Sequence, residues 1–151
     1  MKSIHTDKKL VIAGGSSDAD AFANELKELA KGDDRIIFTG FVQGQLLDEL
    51  YSNAFIYTLP SDLEGMPLSL LEAMNYGNCC LISDIPECAE VVEDKVVTFK
   101  KSDVNDLKDK LEWLLSHEDA VHTYKENATD FICHKYLSLI HISEPTRLLS
   151  I

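Results

Sequence analysis

A parallel α/β sheet with helices on both faces is predicted by three features of the sequence. Short apolar runs alternate with segments whose apolar residues recur at helical spacing. The apolar runs are continuous rather than alternating, as strands buried on both faces must be. Gly, Pro or Asp marks the turns between most of these segments. With 151 residues, 45% of them hydrophobic, the chain is one domain's worth and long enough to bury a core.

The elements follow in order. Lys9 to Ala13 is a strand ending at Gly14-Gly15-Ser16-Ser17, and Asp18 to Lys31 is a helix with Phe22, Leu26 and Leu29 on one stripe. The glycine pair can cradle a phosphate or simply turn the chain. It lacks a full Gly-x-Gly-x-x-Gly, so the plain turn is preferred and no chemistry is assigned. Asp33-Asp34 turns into a strand over Arg35 to Thr39, followed by the loop Gly40 to Gly44 and a helix carrying Leu46, Leu47, Leu50 and Tyr51. Ala54 to Leu59 is the third strand. The helix after it is signalled at both ends, by Pro67 in its first turn and by Gly77 just past its last residue. Asn78 to Ser83 is a fourth strand, Pro86 to Val92 a short helix, and Lys95 to Phe99 a fifth strand. Ser102 is expected to cap a helix with Val104, Leu107, Leu111 and Leu114 facing the sheet, and Glu118 to Tyr136 forms another helix.

Composition excludes several classes of function. A net charge of −12 argues against a nucleic-acid partner and against binding to anionic lipid, both of which reward Lys/Arg clusters. Cys79, Cys80, Cys88 and Cys133 have no Cys-x-x-Cys spacing and are expected to be buried, reduced thiols. His117, His122 and His134 have no ligand spacing either, so no metal site is expected. There is no signal peptide and no twenty-residue apolar span, and the expected location is cytoplasmic.

The chemistry concentrates between Ser61 and Gly77. Glu64 lies in the loop before the helix and Glu72 within the helix, eight positions on. Both can face one cleft at the carboxyl end of the third strand, where ligands of open α/β sheets bind. The N–H groups of Gly65, Met66 and Leu68 lie where a helix leaves donors without partners, and Pro67 offers none. Free donors at the positive end of a helix dipole suit an anion, most naturally phosphate, and Gly65 lets the backbone approach it. The same residues admit a plainer role, Glu64 as a dipole partner of the helix start and Glu72 as part of a solvated face. Spacing alone leads to an anion-binding loop and no further.

The string Pro60-Ser61, Glu64-Gly65-Met66-Pro67, Leu71-Glu72-Ala73-Met74 and Gly77 resembles the Glu-x7-Glu signature of the group 1, or family four, retaining glycosyltransferases. Ile36 to Val42 upstream and Ser83 to Val92 downstream fit the same family in the same order, and the resemblance covers about Leu10 to Tyr136. It implies a Rossmann-like lobe, the carboxyl-terminal, donor-binding half of a GT-B enzyme. It also implies roles. Glu64 is the catalytic-site carboxylate, contacting the donor sugar near the reacting centre. The N–H groups of Gly65, Met66 and Leu68 bind the donor diphosphate, Glu72 holds the ribose hydroxyls, and the backbone at Phe41 and Val42 contacts the base. The reaction implied is sugar transfer from a nucleotide-diphosphate sugar to an acceptor, with retention of configuration and with neither metal nor other cofactor. Polysaccharide biosynthesis is the commonest role of such enzymes. A non-catalytic nucleotide-binding or interaction module of the same fold is the alternative.

Two departures from the family's pattern bear on domain organisation. The Gly-Arg…Lys-Gly loop whose cations neutralise the diphosphate has no counterpart before Leu10, and the family's amino-terminal acceptor domain has none either. The expectation is a partial donor-binding domain over residues 1–136, inactive alone, whose partner is the missing domain of a longer parent. Residues 137–151 fit no earlier pattern, resemble a translated adapter, and are set apart as a non-native tail.

Overall fold

In the computed structural model, which describes residues 1–14, 20–61 and 68–140, strands and helices alternate as expected. The elements are β1 (Leu10–Ala13), α1 (Asp20–Ala30), β2 (Ile36–Gly40), α2 (Gln45–Asn53), β3 (Tyr57–Leu59), α3 (Leu68–Asn75), β4 (Cys80–Ser83), α4 (Pro86–Val92), β5 (Val97–Phe99), α5 (Val104–Ser116) and α6 (Glu118–Ile140). All strand pairs are parallel. Among the described residues they form two ladders, β1-β2 and β3-β4-β5, where one sheet was expected. The chain divides into two compact units, Met1–Glu49 and Leu50–Ile151.

In the second unit β4 sits between β3 and β5, with Tyr57 opposite Cys80 and Leu81 opposite Val97. All four β4 residues are buried. Because successive side chains of a strand point to opposite faces, β4 divides the core in two. Cys80 and Ile82 pack with Leu70, Ala73 and Met74 of α3 and with Cys88 and Val92 of α4. Cys79, just before the strand, and Leu81 pack with Leu114 of α5 and Val121 of α6. Here the sheet is covered on both faces, as the continuous apolar run required.

The first unit is different. The β1-β2 ladder buries only one side in part, and the register partners Val11 and Ile37 both remain exposed. Helix α1 presents Ala23, Leu26 and Ala30 as its partly covered stripe, while Phe22 and Leu29, expected to face the core, are exposed. The amino terminus is held by Arg35. Its guanidinium donates to Asp33 Oδ1 and Oδ2 at 2.9 and 2.8 Å and to the carbonyls of Ile4, Thr6 and Met1 at 2.8, 3.0 and 3.0 Å. Asp33 Oδ1 also accepts from the Arg35 amide at 3.1 Å, the turn expected from its position.

Other boundaries shift for local reasons. β3 begins at Tyr57 rather than Ala54, whose carbonyl accepts instead from Lys125 Nζ at 2.9 Å. The α5 cap is Asp103, whose carboxylate accepts from the Asp106 amide at 2.9 Å, and not Ser102, which adopts a φ of 58°. Val104 is then the first residue of the helix and is 77% exposed, so the packed stripe begins at Leu107. Helix α6 runs four residues past Tyr136, to Ile140, because no Gly or Pro interrupts Leu137 to Ile140 and each added residue extends an existing ladder. Residues 141–151 lie outside the described residues. Cys79, Cys80 and Cys88 are buried free thiols, burial pushing Cys79 up to about 11. Cys133 is free but exposed, on the outer side of α6. Among the described residues, no helix is long and apolar enough to cross a membrane.

Two outcomes test this packing. Leu81→Ala, at a fully buried centre, should cost about 2–5 kcal/mol, whereas Phe22→Ala should cost less than about 0.5 kcal/mol, read as urea midpoints at unchanged slope. The hydrogen bonds from Arg35 hold the Asp33 carboxyl below its ordinary value. A carboxyl lowered on folding stabilises above its unfolded value and loses that contribution as pH falls through its folded value. The Arg35 Nε–H resonance should therefore hold its bonded shift from neutrality down through the ordinary carboxylate range and lose it only below, and Asp33→Asn should remove this transition.

Candidate functional site

Helix α3 leaves the carboxyl end of β3 and carries two of the expected site residues. Leu68 is its first residue and is exposed, at the turn where helical N–H groups have no partner within the helix. Glu72 lies one turn further on and is half-buried. Glu64, Gly65 and Met66, together with Pro67, lie outside the described residues. Phe41 and Val42 follow β2 in the first unit, Phe41 at 74% exposure and Val42 half-buried, in a loop whose Gly40 and Gly44 have φ values of 70° and 66°. Phe41 is thus no core cover, and the backbone turns sharply on either side of it.

The exit of α3 is fixed by Gly77 and Asn78. Gly77 has φ 74°, its amide bonds the Met74 carbonyl at 3.0 Å, and the Asn78 amide reaches back to Ala73 at 3.1 Å. This is the Schellman arrangement, with glycine at the left-handed position. A Cβ at Gly77 would meet Thr129 Oγ1 at 3.0 Å, so a side chain there would have to displace that hydroxyl as well as accept the positive φ. The Asn78 side chain, 2% exposed, then donates to the carbonyls of Ala73 and Tyr51 at 3.0 and 2.9 Å. Helix α2 is thereby tied to α3 beside Glu72.

Around this tie stand residues that no spacing argument brought together. Tyr51, near the end of α2, donates its hydroxyl to Glu72 Oε2 at 3.2 Å. Its ring stacks on Tyr76, with centroids 5.2 Å apart and planes 13° apart, and lies tilted against Tyr57 at 6.0 Å. Tyr57 in turn donates to Ser69 Oγ at 2.9 Å, one turn before Glu72. Burial, then the neighbouring phenol and carboxylate, push the Tyr51 hydroxyl upward, so it stays a neutral donor at physiological pH. Sequence reading placed Tyr51 only on the apolar stripe of a helix and Asn78 only at the start of a strand. An Asn beginning an otherwise apolar strand was the available signal, since Asn is depleted in strands unless its amide has work to do.

The downstream motif is fixed at the same end of the sheet. The Asp84 amide bonds Phe99 O at 2.9 Å and its carboxylate accepts from the Lys101 amide at 2.7 Å, holding the loops after β4 and β5 together. Pro86 occupies the first turn of α4 after an extended Ile85. Pro60, Ser83, Phe99, Ser102, Asp103 and Leu107 line a depression of about 210 Å³ at the carboxyl ends of β3, β4 and β5.

Residues 1–131 match the model of the family described as "Glycosyl transferases group 1". The chain belongs to that family. Among curated relatives it is 32% identical over 101 residues to the N,N'-diacetylbacillosaminyl-diphospho-undecaprenol alpha-1,3-N-acetylgalactosaminyltransferase of Campylobacter jejuni, a match covering 60% of this chain and 27% of that protein. The chain spans about a quarter of the length of the first curated relatives it matches, 22% and 27%. Among solved structures, HepE of Anabaena in complex with UDP and glucose superposes with a TM-score of 0.83 at 15% identity, covering 98% of this chain and 42% of that one. The carboxyl-terminal domain of the group 1 family protein LpcC from Francisella tularensis gives a TM-score of 0.74 at 19% identity, with 89% of each chain covered. The expected Rossmann-like lobe of a GT-B glycosyltransferase is therefore the fold of this group 1 family member.

The Asn78 tie makes its own prediction. Asn78→Ala leaves the Tyr51 carbonyl without its buried donor and should cost about 1–3 kcal/mol in urea unfolding, with the Tyr51 and Glu72 amide resonances among those that move.

Proposed function

We propose that the chain is the donor-binding lobe of a glycosyltransferase that moves a sugar from a nucleotide-diphosphate sugar to an acceptor hydroxyl with retention. The observation that carries the reading is a carboxylate, Glu72, held by a neutral phenol on the helix that leaves β3, in a chain that belongs to the group 1 family. Support for a nucleotide ligand comes from HepE, the neighbour whose structure contains UDP and glucose.

In this reading Glu72 accepts hydrogen bonds from the ribose hydroxyls. Such charge-assisted bonds are worth roughly twice their neutral counterparts. The N–H groups of Gly65, Met66 and Leu68 hold the diphosphate, and Glu64 contacts the donor sugar. Transfer breaks the bond from the anomeric carbon to the diphosphate, forms one to the acceptor oxygen on the same face, and passes the proton of the acceptor hydroxyl to the departing diphosphate. Negative charge grows on the departing diphosphate, where fixed donors at a helix start are most effective. Each is worth roughly 3 kcal/mol of barrier in comparable sites, about a hundredfold in rate. The backbone at Phe41 and Val42 meets the base, which leaves base choice to main-chain groups. No metal or further cofactor takes part, and the rest of the enzyme supplies the acceptor site.

Titration of the chain with UDP, GDP and ADP, followed by backbone amide NMR, tests the reading. One nucleotide should move Leu68, Phe41 and the amides around Glu72, and Glu72→Ala should weaken it about ten- to a hundredfold. Equal binding to Glu72→Ala, or no nucleotide-dependent shift at any of these amides, would sink it.

A further inference from the structure

A carboxylate on a half-exposed helix face spreads over several rotamers, and a ligand that needs one of them must stop that motion. Freezing a Glu side chain costs rotamer entropy that the ligand's binding must offset. Glu72 is not left in that state. Oε2 accepts from the Tyr51 hydroxyl at 3.2 Å. That hydroxyl has a single hydrogen, and its other acceptor among the described residues is the Ser69 carbonyl at 3.5 Å, the far limit of a hydrogen bond. The carboxylate is nearer and charged, so the hydrogen goes to Glu72.

Tyr51 is itself held on two sides. Its carbonyl is held by Asn78 Nδ2 and its ring by the stack on Tyr76 and the tilted contact with Tyr57. Asn78 also binds the carbonyl of Ala73, the residue next to Glu72. Hydroxyl, carboxylate, helix backbone and amide therefore close a ring of contacts running from α2 to α3 and back. One carboxylate oxygen is engaged by it. The other, Oε1, keeps its acceptor capacity for donors that come with a ligand.

We propose that Tyr51 is a positioning residue for donor binding: its hydroxyl fixes the Glu72 carboxylate so that Oε1 accepts from the ribose hydroxyls of the nucleoside diphosphate. The proposal rests on the reading of Glu72 as the ribose contact. Tyr51 touches no substrate. It acts only through Glu72, and so contributes to the recognition of ribose and not to that of base or diphosphate.

The test uses the chain, Tyr51→Phe, Glu72→Ala and the double variant, each titrated with UDP, GDP and ADP and with their 2′,3′-dideoxy counterparts. Tyr51→Phe keeps the ring and its stacking and removes only the donor. It should weaken the ribonucleotide that binds by roughly three- to tenfold and leave its dideoxy counterpart unchanged. In the Glu72→Ala background the same change should have no further effect. Equal loss for both nucleotides would overturn the proposal, since it would mean that Tyr51 supports the lobe in general. So would an unchanged ribonucleotide affinity in Tyr51→Phe while Glu72→Ala remains impaired, because Glu72 would then need no positioning. If Glu72→Ala binds as the parent does, or no nucleotide binds the parent, the ribose reading of Glu72 has failed, and this inference falls with it.

Discussion

The turn at Gly77 and Asn78 is the constraint on which the second unit depends. It must end a helix, reverse the chain and start a strand buried on both faces within the four residues between Asn75 and Cys80. The left-handed φ of Gly77 makes the reversal possible, and Thr129 Oγ1 standing against it would have to give way to any Cβ. Asn78 then solves the problem such a turn creates at the end of two helices, where carbonyls run out of partners. One buried amide satisfies a carbonyl from each helix, so the ends of α2 and α3 are held at a fixed spacing. That spacing is what lets a phenol from one helix reach a carboxylate on the other.

The packing of β4 follows from the same turn. Starting the strand at Cys80 sends Cys80 and Ile82 toward α3 and α4, and Leu81 toward α5. A start one residue earlier or later would exchange the two faces. The small cysteines matter here as packing groups. Burial holds their thiols in the protonated form, so at this position they behave as short hydrophobes rather than as nucleophiles.

Legibility from sequence tracked the range of the interaction. α4 was readable to the residue, because Pro86 opens it and its limits are set by neighbours in the chain. The end of α3 was readable from Gly77 for the same reason. The α5 cap was missed by one position, since Ser102 and Asp103 are both good capping types and only the backbone decides between them. Burial was misread where it depends on what covers a face. Phe22, Leu29 and Val104 obey the helical period and are nevertheless exposed. Of the expected site, Glu72 and Leu68 stand on the helix signalled by Pro67 and Gly77. The aromatic trio and Asn78 were illegible because residues 51, 57, 76 and 78 come from a helix, a strand and a turn, and no period relates them.

The two units differ in how firmly they hold what they carry. In Met1–Glu49 Ile4 is the one buried hydrophobic among the described residues, and the middle of the β1-β2 ladder is exposed. In Leu50–Ile151 the β4 core is enclosed on both faces. Local opening follows the amount of buried apolar contact, so the loop with Phe41 and Val42 stands on the softer support and Glu72 on the stiffer. The bond from Tyr51 to Glu72 therefore lies in the more firmly packed of the two.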